Sequence, residues 1–271
     1  MIASMESQNT YWQDRALLEW QVELGADEAI SDSPIDRYAL DAKPPVAQSA
    51  PPVQSDGRAP KPPVPVVQDL DAVAIARDAA AGAADLTQLA QAMEAYNLCE
   101  LKLGAKSFVF ADGNPAARVM IVGEAPGRNE DIAGKPFVGQ AGQLLDRMLA
   151  AIGLDRTATD AAKAVYITNV MPWRPPGNAT PDKDDIAMML PFLERHIALA
   201  DPDVILCMGN TPCQALLGRA GITRIRGTWA DVLGRPAMPM FHPAYLLRQP
   251  LAKREAWADL LALQAKLKEL A

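Results

Sequence analysis

Four mostly apolar runs, Arg118 to Val122, Val165 to Thr168, Asp203 to Met208 and Ala237 to Phe241, each break off into a short polar or glycine-bearing turn. Short apolar runs without polar alternation predict strands buried on both faces. Between them the period changes. Gly142 to Ile152 carries Leu145, Met148, Leu149 and Ile152 on one helical face, and Pro181 to Leu199 carries Ile186, Leu190, Leu193 and Ile197, with a kink expected at Pro191. Thr211 to Leu217 and Leu251 to Leu270 read as further helices. Strand and helix in alternation predict an α/β fold, with a parallel sheet covered on both faces.

The chain upstream is organised differently. Trp12 to Ala29 places Leu17, Trp20 and Leu24 on one face, with Gly25 available to end a short amphipathic helix. That face needs a cover, either the main domain or a protein partner. Pro44 to Pro65 holds eight prolines in 22 residues, which predicts an extended linker. Gln68 to Glu94 then reads as one or two helices entering the main domain. The expected division is an appendage over 1–42, a linker over 43–66 and a main domain over 67–271.

Charge first argues against a phosphate-rich partner, since 26 Lys and Arg face 33 Asp and Glu, a net −7. Its distribution reverses the argument. Residues 1–99 hold 6 basic against 15 acidic side chains, or −9, leaving +2 for residues 100–271. No apolar run approaches the ~20 residues that span a bilayer, and residues 1–10 lack the basic and apolar regions of a signal peptide. Cys99, Cys207 and Cys213 contain no Cys-x-x-Cys pair, so neither a disulfide framework nor a simple zinc site is indicated. A cytoplasmic protein with reduced thiols is expected.

Ligands of open α/β sheets bind beyond the carboxyl ends of the strands, and the chemistry-bearing residues fall there. The first run enters Gly123-Glu124-Ala125-Pro126-Gly127, which offers backbone N–H groups and a carboxylate; the same pentapeptide also serves as an ordinary strand-to-helix turn. Gly134, Gly139 and Gly142 bracket Phe137, so a flexible loop either presents the ring at the rim or plugs the core with it. Asn169 offers an amide acceptor and donor side by side, matching a base edge, or else forms a local turn. His242, held before Pro243, is either a donor aimed at a fixed point or a structural histidine. His196, on a helix beside Arg195, reads as structural or surface.

Together these blocks carry a resemblance. Gly123 to Gly127, Glu130-Asp131, Gly134 to Gly139, Tyr166 to Asn169, Arg174-Pro175-Pro176-Gly177-Asn178 and His242 to Arg248 resemble the family 4 uracil-DNA glycosylases across residues 96–262. The resemblance implies a three-layer α/β/α sandwich that cleaves the N-glycosidic bond of a flipped-out deoxyuridine in DNA. Ala125, Phe137, Asn169 and His242 would bind the uracil, Phe137 by stacking, Asn169 on the N3 and O4 edge and His242 on O2. Glu124, Glu130, Asn178 and His242 would carry the catalysis. Arg174, Arg248 and a wedge from Leu246 or Leu247 would meet the DNA, unless the two leucines simply begin a core helix.

The departures from the family pattern are specific. The family usually holds a [4Fe-4S] cluster on four cysteines. Only Cys99 matches such a position here, with Tyr96, Trp173 and Met189 at the other three, so no cluster and no other metal or cofactor is expected. Ala179 stands where the family commonly has arginine after the Asn, which puts one of the phosphate contacts that the resemblance implies in question. A related branch crosslinks to uracil-DNA through a histidine in a basic insert, and Val170 to Pro181 has neither. An enzyme that turns over, as a monomer, is therefore expected. The alternative is a non-catalytic or crosslinking binder of uracil-DNA or single strands on the same fold.

Overall fold

The computed structural model describes residues 71–270, which lie within one compact unit. The expected N-terminal helix, the proline-rich linker and the boundaries at 42 and 66 lie outside the described residues.

Two short helices open the described chain, α1 (Ala72–Ala81) and α2 (Leu86–Ala95). Each starts at an aspartate that accepts a backbone N–H of the first turn, Asp71 from Ala74 at 2.9 Å and Asp85 from Gln88 at 2.8 Å. A one-turn helix α3 (Leu101–Gly104) follows. The remaining order is β1 (Ala111–Gly113), β2 (Val119–Gly123), α4 (Arg128–Ala133), α5 (Gln140–Ala150), β3 (Val165–Asn169), α6 (Lys183–Ala200) and β4 (Val204–Met208). Then come α7 (Asn210–Leu217), α8 (Ile222–Ile225), β5 (Ala230–Val232), β6 (Arg235–Met240), α9 (Pro243–Arg248) and α10 (Lys253–Glu269).

The sheet has six strands in the order β1-β3-β2-β4-β6-β5. The four expected strands form its parallel centre, and β1 and β5 add antiparallel edges that sequence reading did not anticipate. Alternation across the pleat sorts the core into two layers. Val119 and Ile121 of β2 face Leu145 and Leu149 of α5 and Leu260 and Leu263 of α10, while Met120 and Val122 face the layer containing α1, α2, α6 and α7. The result is a three-layer α/β/α sandwich. Pro191 lies inside α6, as expected, and α1 and α2 pack against this helix.

His196 takes the structural role. It is 1% exposed, stacks on Phe110 at 4.3 Å and shares a 2.9 Å hydrogen bond with the Tyr166 hydroxyl. Burial pushes its imidazole down to about 3, so the ring is neutral at physiological pH.

Candidate active site

Parallel strands that end together put their following turns on one rim. The pairing Gly123↔Asn169 sets the ends of β2 and β3 level, and Gly209 extends the β4–β6 pairing by donating its N–H to Met240 O at 2.9 Å. A cavity of about 630 Å³ opens there. Glu124, Ala125, Glu130, Phe137, Asn169, Asn178, His242 and Arg248 all line it, so the structure gathers eight of the eleven residues singled out from sequence. Arg174, Leu246 and Leu247 are not among the lining residues.

The end of the cavity at Phe137, Asn169 and His242 is built by close approach. Phe137 and His242 stack at 5.3 Å between centroids and 28° between planes. Asn169 is 7% exposed at the end of β3. Glycine at 123 makes this possible, because a Cβ there would overlap both the Asn169 Oδ1 and the Phe137 ring. The Phe137 loop is braced rather than loose. Phe137 has a left-handed backbone (φ 54°), and its carbonyl and that of Pro136 accept from the Arg156 guanidinium at 2.9 and 3.0 Å. Arg156 also pairs with Asp112 and Asp146. On the other side of the loop, Glu130 Oε1 accepts the N–H groups of Val138 and Gly139 at 2.9 and 2.8 Å.

His242 caps α9. Its Nδ1 accepts the Ala244 N–H at 3.1 Å, and burial, with help from the positive charge of Arg248, pushes its imidazole down to about 4 against a weaker opposing pull from Glu130. Gly209, at φ 101° in the turn after β4, lets that turn pass close to the His242 Cβ, where a side chain would be strained. In the same turn Thr211 Oγ1 donates to Glu124 Oε2 at 2.6 Å. Asn178 also has a left-handed backbone (φ 54°), and its Oδ1 accepts from Arg174 Nε at 2.8 Å. Arg174 thus supports a pocket-lining amide.

The leucine pair resolves into different environments. Leu246 is 1% exposed and packs with Phe241, Ala256 and Leu144, so it is not free to act as a wedge. The helical turn of α9 leaves Leu247 at the surface, 39% exposed. Sequence reading missed Arg156, which stands in no motif and reaches the site across the fold, and it placed Thr211 at the start of the helix after the third strand without giving its hydroxyl a role.

The four positions matched to cluster ligands lie in the core beside α6. Cys99, Tyr96, Trp173 and Met189 are each no more than 5% exposed. Tyr96 donates its hydroxyl to Ala72 O at 2.8 Å and meets Phe192 edge-on, while Trp173 packs against Phe108. Burial pushes the Cys99 thiol up to about 11, which keeps it protonated. One protonated sulfur among aromatic and thioether side chains does not fit a four-iron cluster.

The family model for the uracil DNA glycosylase superfamily matches residues 110–261. The type-4 uracil-DNA glycosylase of Thermotoga maritima is 40% identical over 153 residues, covering 55% of this chain and 77% of that protein. Those of Archaeoglobus fulgidus and Pyrobaculum aerophilum are 37% and 36% identical, over 59% and 65% of this chain and 82% and 91% of their own lengths. With the family model spanning the sheet and every turn of the pocket and the relatives 36–40% identical, the chain belongs to the type 4 family of the uracil-DNA glycosylase superfamily.

Proposed function

We propose that this protein excises uracil from DNA as a base excision repair enzyme, hydrolysing the N-glycosidic bond of a deoxyuridine turned out of the stack. The observation that carries the reading is the convergence of Phe137, Asn169 and His242 on one cavity at the carboxyl end of the sheet. A flipped base needs a stacking surface, an edge-reading group and a donor for the departing anion, and these residues match the three requirements. Stacking on an aromatic ring contributes about 1–3 kcal/mol per base. An Asn fixed by the strand register offers an acceptor to the uracil N3–H and a donor to O4, whereas cytosine presents the opposite pair.

As the N1–C1′ bond breaks, its electron pair leaves with the base and charge accumulates on O2. The neutral imidazole, with Nδ1 occupied as an acceptor, presents an Nε2–H for that oxygen, a donor worth roughly 3 kcal/mol when well placed. A water adds to C1′. Glu124 takes its proton, which returns to the uracil anion, so the products are free uracil and an abasic site. Glu130 holds the Phe137 loop through one oxygen, and Asn178 forms the opposite wall under Arg174. Arg248 and Leu247 form the surface that meets the duplex, Arg248 by charge and Leu247 as the wedge.

The residues at the family's cluster positions support a protein without iron. Three buried free cysteines fit a reducing, cytoplasmic compartment. Among the described residues no helix is long and apolar enough to cross a membrane. The test is to incubate the protein with a uracil-containing oligonucleotide and then with alkali. Strand scission at the uracil is expected. Tight binding with no scission would favour the non-catalytic alternative.

A further inference from the structure

Glu124 is the first residue after β2 and carries three side-chain torsions, so the strand register does not fix its carboxylate. Among the described residues the hydrogen-bond donor to that carboxylate is the Thr211 hydroxyl, 87 positions away in the chain, at 2.6 Å on Oε2. That length belongs to the strong class of hydroxyl-to-carboxylate bonds. Thr211 is itself 2% exposed in the first turn of α7, and its β-branched side chain has few rotamers open to it. The turn that delivers it begins at Gly209, whose left-handed backbone also brings it against His242. Both Glu124 and Thr211 line the cavity.

We propose that Thr211 is a positioning residue that locks the Glu124 carboxylate, fixing Oε2 and leaving Oε1 directed at the attacking water. This rests on the reading of Glu124 as the group that takes the water's proton. The effect of Thr211 passes through Glu124, and one turn thereby registers the acid and the histidine relative to each other.

The experiment is a double-mutant cycle on a uracil-containing oligonucleotide, using the full chain. Thr211→Val, which keeps the shape and loses the hydroxyl, lowers kcat about tenfold or more with KM within about twofold; Thr211→Ser recovers most of the loss. In a Glu124→Gln background the Val substitution costs less than about twofold further. Parental kcat in Thr211→Val, or the full loss repeated in the Glu124→Gln background, would overturn the proposal. If the parent does not excise, or Glu124→Gln is as fast as the parent, the functional reading fails separately. The positioning claim is then decided by the crystal structure of Thr211→Val, in which Glu124 must leave its parental rotamer, and an unmoved carboxylate refutes it.

Discussion

His242 Nδ1 accepts the backbone N–H of Ala244 at 3.1 Å, so the neutral ring carries its proton on Nε2. The cap therefore selects the tautomer. Since burial and Arg248 push this imidazole from its ordinary 6.5 down to about 4, it stays neutral on acidification until well below pH 6. Single-turnover excision is expected to show no loss from this group between pH 7.5 and 5. An acid limb centred near 6.5 that involves His242 would contradict the assignment. His242→Ala should slow excision about a hundredfold, the scale of one lost oxyanion donor.

The missing side chain of Gly123 leaves room for Asn169 and Phe137, the two residues proposed to hold the base. Gly123→Ala should leave the sheet folded while displacing the Asn169 amide and the Phe137 ring, reducing kcat/KM at least about tenfold. Asn169→Asp should cripple excision and change base choice, because its two oxygens no longer present an acceptor and a donor. Excision assays with circular dichroism as a folding control check both. Parental rates in either variant would show that the edge is read elsewhere.

The second histidine also links folding to pH. His196 is neutral in the folded protein down to about pH 3 but protonates near 6.5 when unfolded, so the unfolded chain binds the extra proton between those values. Stability contributed this way is complete above pH 6.5 and falls as pH drops toward 3. A single proton corresponds to about 1.4 kcal/mol per pH unit. Urea denaturation of His196→Gln between pH 6.5 and 4 should show a slope flatter than the parent's by about 1 kcal/mol per unit, and identical slopes would exclude this histidine as the source.

Iron analysis tests the packing at the former ligand positions. The purified protein should be colourless and contain no stoichiometric iron, and Cys99→Ala should preserve excision. Visible absorbance with about four irons per chain would mean that other residues bind a cluster.

The two leucines of α9 should separate in their effects. Leu246→Ala should destabilise the protein by about 2–5 kcal/mol, as buried leucines do. Leu247→Ala should leave the melting temperature within a few degrees and slow excision from double-stranded more than from single-stranded substrate. Equal rates on both substrates would remove the wedge.

Much of this architecture was legible because central parallel strands announce themselves. Val119 to Val122 and Val204 to Met208 have no solvent face to encode, so their apolar runs are continuous. The edge strands β1 and β5 are three residues long and contain Asp112 and Asp231, which gives no periodicity to read. Helix α4, six residues between glycines, resembles a loop in sequence. The pocket residues were readable since most directly follow strand ends. Arg156 was not, because its partners are set by tertiary contact; Thr211 follows a strand end, but its bond to Glu124, 87 positions away, is equally a tertiary matter, as is the burial of Leu246, which depends on how α9 rolls against Ala256 and Leu144.

The bracing of Phe137 by Arg156 has a kinetic meaning. A ring already fixed in its left-handed backbone when the chain folds offers a standing platform, and an arriving base finds it without waiting for a loop to close. On the reading of Phe137 as the stacking surface, capture of the base then carries no cost for ordering this loop.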